Sequence, residues 1–229
     1  MNQTLLKQCV AEFVGTFSLI FIGVGAIQHL GTVPGGLLGI ALAHGLAIAV
    51  MVSATGAISG GHLNPAVTFG LLVGGKIDLN RTLAYWASQL GGATAAGLLC
   101  VWLLGGPAVA NGTPDIPQSA ASAGPAISFA QAVAIEAVLT FFLVFVVYGS
   151  AVDVRAPKIG GLAIGLTVAL DILFGGPLTG AAMNPARTFG PALVSGHWNN
   201  HLVYWLGPLL GGGLAGLVYG RFLIKDSKP

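Results

Sequence analysis

Apolar residues run through this chain in long blocks with little polar interruption. Residues 13–75 contain no Asp, Glu, Lys or Arg, and residues 159–220 contain only Asp171 and Arg187. One membrane crossing takes about 20 apolar residues, so each block holds two crossings and leaves about 20 residues over. That surplus is too long for a turn and too uncharged for an exposed loop. Each block is therefore expected to contain a segment that dips into the membrane and returns. The pattern predicts spans near 8–30, 35–57, 82–105, 128–152, 159–176 and 202–222, an all-α membrane bundle.

Composition agrees. Hydrophobic residues make up 55% of the 229 positions, charged residues 7%, and the mean hydropathy is +0.85. Soluble domains carry about a quarter charged residues, so this inventory cannot cover a water-exposed surface. The first apolar segment starts near Cys9, is long enough to span and holds Glu12, and is read as a retained helix rather than a signal peptide. Cys9 and Cys100 have no metal-ligand spacing and read as inert apolar thiols.

The net charge of +2 is less telling than its placement. Lys7, Lys76, Arg81, Arg155, Lys158, Arg221, Lys225 and Lys228 lie at the termini and in the connections near 76–81 and 153–158. The connections near 29–34 and 106–127 carry no Lys or Arg. The positive-inside rule then places both termini in the cytoplasm, with an even number of crossings. A cell membrane (plasma or inner) is the expected location, with the lipid bilayer as partner and no nucleic acid.

The chain also repeats itself. Glu12-Phe-Val-Gly-Thr16-Phe17 is echoed by Glu136-Ala-Val-Leu-Thr140-Phe141, and Tyr85-Trp86 by Tyr204-Trp205. Asn64-Pro65-Ala66-Val67-Thr68-Phe69-Gly70 differs from Asn184-Pro185-Ala186-Arg187-Thr188-Phe189-Gly190 only at the fourth position. The order is the same in both halves, so a unit of three spans was duplicated, approximately 8–105 and 128–222, within a single domain over 1–229. An odd number of crossings per unit inverts the second copy, a plan found in membrane transport proteins with the working site midway. The joining segment 106–127, rich in Pro, Ala, Gly and Ser, reads as an outside loop.

Each surplus segment holds Asn-Pro-Ala. Proline suits the first turn of a helix and asparagine suits its N-cap. Short helices are expected near 65–74 and 185–194, approached through glycine-rich backbone and meeting at their N-termini. Irregular backbone at membrane depth is tolerated only where it is buried in protein or lines a wet cavity.

On these paired motifs the chain resembles the aquaporin, or major intrinsic protein, family over almost its whole length. The resemblance implies six tilted helices with two half-helices, a homotetramer with one pore per subunit, and passage of water and small uncharged solutes. Asn64 and Asn184 would direct amide N–H groups into the path. It further implies a constriction of His44, Ile172, Ala181 and Arg187, with His62 lining the vestibule or serving structure alone. His44 would add a polar contact beside Arg187, or pack away from the path. Strict water channels of this family usually place Phe and His where this chain has His44 and Ile172. The pairing here looks like plant tonoplast-type and ammonia-permeable members, so ammonia permeability is expected. Glycerol facilitators typically carry Asp where Thr188 follows Arg187, which favours water over an aquaglyceroporin-like facilitator of glycerol or urea.

Glu12 and Glu136 occupy equivalent places, and an intramembrane acid is a candidate functional group by default. They could form the titratable pair of a proton-coupled transporter. The family resemblance implies instead that they support the re-entrant loops. Asp171, beside Ile172, has no assigned role. No nucleophile–base pair, metal cluster or phosphate loop points to an enzyme, a metal or a cofactor. Asn2 and Asn111 begin sequences that match the glycosylation pattern, a weak signal.

Overall fold

A computed structural model describes residues 3–116, 126–157 and 159–224. Lys158, Lys225, Lys228 and Asn2 lie outside these, as do residues 117–125 of the joining segment. Helices α1 (Gln3–Leu30), α2 (Gly36–Ser59) and α4 (Leu79–Leu104) form the spans of the first half. Those of the second half are α6 (Phe129–Val147), α7 (Gly160–Thr179) and α9 (Val203–Ala215). The α6 helix continues through π-helical turns at Tyr148–Val152, and α9 through those at Gly216–Leu223. All six spans are long and apolar enough to cross a membrane. The half-helices are α3 (Pro65–Val73) and α8 (Pro185–Ser195). Observed and expected boundaries agree closely, apart from an earlier start to α1.

One expectation needs correcting. The joining segment is not all loop, because Gly106–Gly112 forms a short helix, α5. Its glycine and alanine content hid it, although Pro107 sits in the first turn, where a missing N–H is harmless. Val109 is fully buried, and α5 packs on α1, α4 and α8.

The packing follows the inverted repeat. The α1–α4 contact is matched by α6–α9, and α2 packs along α7 across the two halves. Each half-helix lies against the last span of the opposite half, α3 on α9 and α8 on α4. Glycines permit this approach: a Cβ on Gly70 would stand 2.6 Å from the carbonyl oxygen of Gly212, and one on Gly190 would stand 2.5 Å from that of Ala93. Gly70 and Gly190 are the last residues of the repeated heptapeptide. Outward positions of α2, such as Leu42, Leu46 and Val50, are exposed leucines and valines, as suits a surface in contact with lipid.

At one face, basic residues tie the ends together. Arg221 donates to the Val73 carbonyl at the end of α3 (3.0 Å), and Arg155 pairs with Asp153 in the α6–α7 connection. Arg155 holds the Asp153 carboxyl well below the usual carboxylate range. The opposite face is formed by α5, residues 113–116 and the connection after α8.

These contacts make a controlled prediction. Gly70→Ala and Gly190→Ala should each cost about 1–3 kcal/mol through overpacking. Gly25→Ala, with nothing within 4 Å of the new Cβ, should be neutral or slightly stabilising. Thermal unfolding of the detergent-solubilised variants checks this, and equal behaviour of all three would remove the packing argument.

Candidate functional site

The site begins with two backbone turns that most residues avoid. Helix α2 ends at Gly60 (φ 93°) and α7 at Gly180 (φ 78°), both left-handed. Leu63 and Met183, each immediately before an asparagine, are also left-handed with φ 52°. Such non-glycine conformations cost about 1–3 kcal/mol each and persist only where surrounding contacts over-determine them. Those contacts are present in duplicate.

Glu12 is fully buried. Its Oε1 accepts from Ser59 Oγ (2.6 Å) and His62 N (2.9 Å), its Oε2 from Leu63 N (2.6 Å) and Gln89 Nε2 (2.8 Å). Glu136, equally buried, accepts at Oε1 from Thr179 Oγ1 (2.7 Å) and Ala182 N (2.9 Å), and at Oε2 from Met183 N (2.7 Å). Tyr85 OH donates to the Ser59 carbonyl (2.7 Å) and Tyr204 OH to that of Thr179 (2.8 Å). The two acids therefore hold the re-entrant backbone. Ser59, Thr179 and Gln89 were not picked out from sequence, although Ser59 and Thr179 stand at equal distances before the paired asparagines.

Asn64 and Asn184 each cap their half-helix. Asn64 Oδ1 accepts from Ala66 N (2.8 Å), and Asn184 Oδ1 from Ala186 N (3.0 Å) and Arg187 N (3.3 Å). The two residues also lace the halves together: Asn64 Nδ2 donates to the Met183 carbonyl (2.8 Å) and Asn184 Nδ2 to the Leu63 carbonyl (3.0 Å). The expectation of free amides needs refining here. One N–H of each is committed across the interface, and an amide has two. Both asparagines line the cavity described next.

That cavity runs between the halves and leaves about 30 Å³ for the centres of water-sized molecules. One buried water needs about 10–15 Å³ by the same measure, so the passage is narrow. His44, His62, Ile172, Ala181 and Arg187 all line it. Ile172 and Arg187 also line a wider vestibule of about 290 Å³, shared with Asn111, Thr113 and Asp115, and so stand where narrow meets wide. Counting from the asparagine pair, the counterparts of His44, Ile172, Ala181 and Arg187 are Ile164, Val52, Gly61 and Val67. These line the same cavity and carry no side-chain polar atom. The scaffold is two-fold, but its chemistry is one-sided.

At the polar end, His44 Nδ1 lies 2.9 Å from the Ile40 carbonyl, which can only accept, so Nδ1 carries the proton. His44 Nε2 is then the acceptor for Arg187 Nη2 at 3.2 Å. Both imidazole nitrogens are occupied. The expected second polar contact to a passing molecule is not offered; His44 holds the arginine instead. Arg187 Nε and Nη1 are buried without a protein partner. At the other end, His62 Nδ1 lies 3.1 Å from Thr68 Oγ1, whose hydroxyl donates to the Asn64 carbonyl. Asp171 is buried with one carboxyl oxygen unpartnered, is not among the residues lining the cavity, and has no role the geometry assigns.

A profile described as "Major intrinsic protein" matches residues 1–219. The chain belongs to that family. It is 48% identical to an aquaporin TIP4-4 of Zea mays over 96% of this chain and 88% of that protein. It is 45% identical to a probable aquaporin TIP2-1 of Oryza sativa subsp. japonica, covering 100% and 92%. Among solved structures, the aquaglyceroporin from Plasmodium falciparum superposes with a TM-score of 0.82 at 26% identity, covering 96% of this chain and 97% of that one. The family is one of membrane channels, not enzymes.

The carboxylate hubs carry a prediction. Glu136→Ala would strand the Thr179 hydroxyl and the Ala182 and Met183 amides, at about 1–3 kcal/mol for each buried donor left unsatisfied. The yield of membrane-inserted, monodisperse protein should collapse for this variant and for Glu12→Ala. Any protein that survives should keep the wild-type ratio of solute to water permeability. A well-expressed alanine variant with altered selectivity would reassign these acids to the conduction chemistry.

Proposed function

We propose that the cavity between the halves is a conduction path for water and small uncharged solutes, closed to protons and ions. The observation that carries this reading is the character of its polar groups. Arg187 contributes the unpartnered N–H groups of Nε and Nη1, and each asparagine contributes one N–H beyond its cross-tie. Apolar residues such as Val67, Leu143 and Val168 make up much of the remaining wall. A water molecule at the midplane would accept from the asparagines while its own hydrogens point away towards either mouth. The N-termini of α3 and α8 add partial positive charge at the same place. A water held this way relays a proton poorly, and a cation meets an unfavourable field.

Arg187, His44, Ile172 and Ala181 form the proposed filter. Arg187 contacts the solute, His44 fixes Arg187, and Ile172 with Ala181 gives an apolar wall suited to ammonia as well as water. The placement of basic residues supports cytoplasmic termini, with the filter at the outer mouth. Membership of the family supports assembly as a homotetramer. A glycerol facilitator is the second reading, favoured by the aquaglyceroporin superposition. The narrow cavity, with Thr188 after Arg187, argues for water as the principal solute.

Stopped-flow measurements on proteoliposomes test this. Wild-type protein should raise water permeability at least about tenfold over empty liposomes, a barrier lowered by about 1.4 kcal/mol. Ammonia flux should exceed the lipid control, with glycerol flux poor and proton flux absent. His44→Phe combined with Ile172→His should suppress ammonia relative to water. Ammonia flux at the lipid baseline would remove that solute, and indifference to the double replacement would remove the filter assignment.

A further inference from the structure

The outer vestibule has a wall that the filter does not explain. Residues 113–116 follow α5 and lie across the approach to the second half-helix: a Cβ on Gly180 would come within 3.2 Å of Pro114. Asn111, Thr113 and Asp115 line this vestibule together with Arg187. The segment is anchored by the Asp115 carboxylate. Its Oδ1 accepts from Ile116 N (2.7 Å) and Asn200 Nδ2 (2.9 Å). Its Oδ2 accepts from His197 Nε2 (3.0 Å) and Asn199 Nδ2 (3.3 Å). Three of the four donors are side chains of the connection after α8, more than 80 residues away in sequence.

A carboxylate offers about four lone-pair sites, and all four are taken. Asp115 therefore has no acceptor left with which to collect cations or solutes at the mouth. Its pattern is that of Glu12: a saturated acid gathering donors from a segment that would otherwise be free to shift. The difference is the target. Glu12 holds a re-entrant loop, whereas Asp115 holds one wall of the vestibule against the segment that leaves α8, the helix carrying Arg187.

We propose that Asp115, through His197, Asn199 and Asn200, is a positioning residue that sets the size limit for solutes at the outer mouth. This rests on the channel reading above and adds a second determinant to it, one that lies outside the filter residues and acts through the wall it holds. Losing the clamp lets the 111–115 wall move away from Arg187. The barrier for a solute wider than water then falls more than the barrier for water.

The test compares water and glycerol permeability of the full chain in liposomes for the wild type and a set of variants. In Asp115→Ala the glycerol-to-water ratio should rise about fivefold, equivalent to about 1 kcal/mol off one barrier and not the other. His197→Ala should move the ratio the same way. His197→Gln, which keeps a donor near Nε2, should hold it at the wild-type value. The Asp115→Ala/His197→Ala double variant should go no further than Asp115→Ala, because one bond is lost only once. If Asp115→Ala gives no folded protein, His197→Ala and Asn200→Ala, each removing a single donor, carry the same comparison. An unchanged ratio in folded variants, or water and glycerol falling in proportion, overturns the inference and leaves Asp115 a purely structural acid. A wild-type protein that fails to speed water flux would instead refute the channel reading beneath it.

Discussion

Hydrocarbon offers no hydrogen bonds, so a chain that enters the membrane without forming a complete helix must supply its own partners. The scaffold of this protein follows from meeting that requirement twice. Glu12 and Glu136 take the amide N–H groups of the two returning segments. Asn64 and Asn184 take up carbonyls of the opposite segment. Leu63 and Met183 join the two systems, because each gives its N–H to a glutamate and its carbonyl to the far asparagine. Their left-handed backbone is what lets one residue face both ways. A buried acid here is thus not an isolated charge in lipid but the centre of a satisfied network, which is what makes its burial tolerable.

The duplication explains the scaffold and not the chemistry. Hubs, caps and cross-ties are paired across the pseudo-two-fold axis, since both returning segments face the same demand. Side chains that meet the cavity without holding the loops are under no such symmetry. His44, Ile172, Ala181 and Arg187 face Ile164, Val52, Gly61 and Val67 across the axis, with His62 standing against Ala182. Gln89, which joins Glu12 to Thr68 (2.8 and 3.0 Å), has a proline, Pro208, at the matching place after the tyrosine–tryptophan pair. The first loop is therefore held by one more donor than the second.

Much of this could be read from the residues because it rests on spacing. Charge-free blocks locate the spans, and an Asn-Pro pair suits the N-cap and first turn of a helix. Two matched heptapeptides in an inverted repeat leave few ways to arrange them. What could not be read rests on direction. The type of residue at position 44 does not say that Nδ1 turns to Ile40 and Nε2 to Arg187. Nor does an asparagine at 64 reveal that half its amide is spent on Met183. The α5 helix escaped notice because Gly106–Gly112 has the composition of a loop and is held by packing on α1, α4 and α8, which no local pattern records. The Asp115 clamp joins residues more than 80 positions apart, with no repeat to bring them to attention.

The His44–Arg187 contact shows why a neutral partner is used at this point. A guanidinium buried beside an apolar wall carries a desolvation cost of several kcal/mol. A carboxylate partner would offset that cost. It would also cancel the positive charge. An imidazole held in one tautomer by the Ile40 carbonyl accepts one guanidinium N–H and fixes the side chain without neutralising it. Nε and Nη1 are left for whatever passes, and the charge still acts on the cavity. Under the proposed reading that residual charge excludes cations, so orientation and field are controlled separately. Among the described residues no carboxylate is bonded to Arg187, in a protein that uses acids to hold both of its loops, and that is then part of how the proposed filter works.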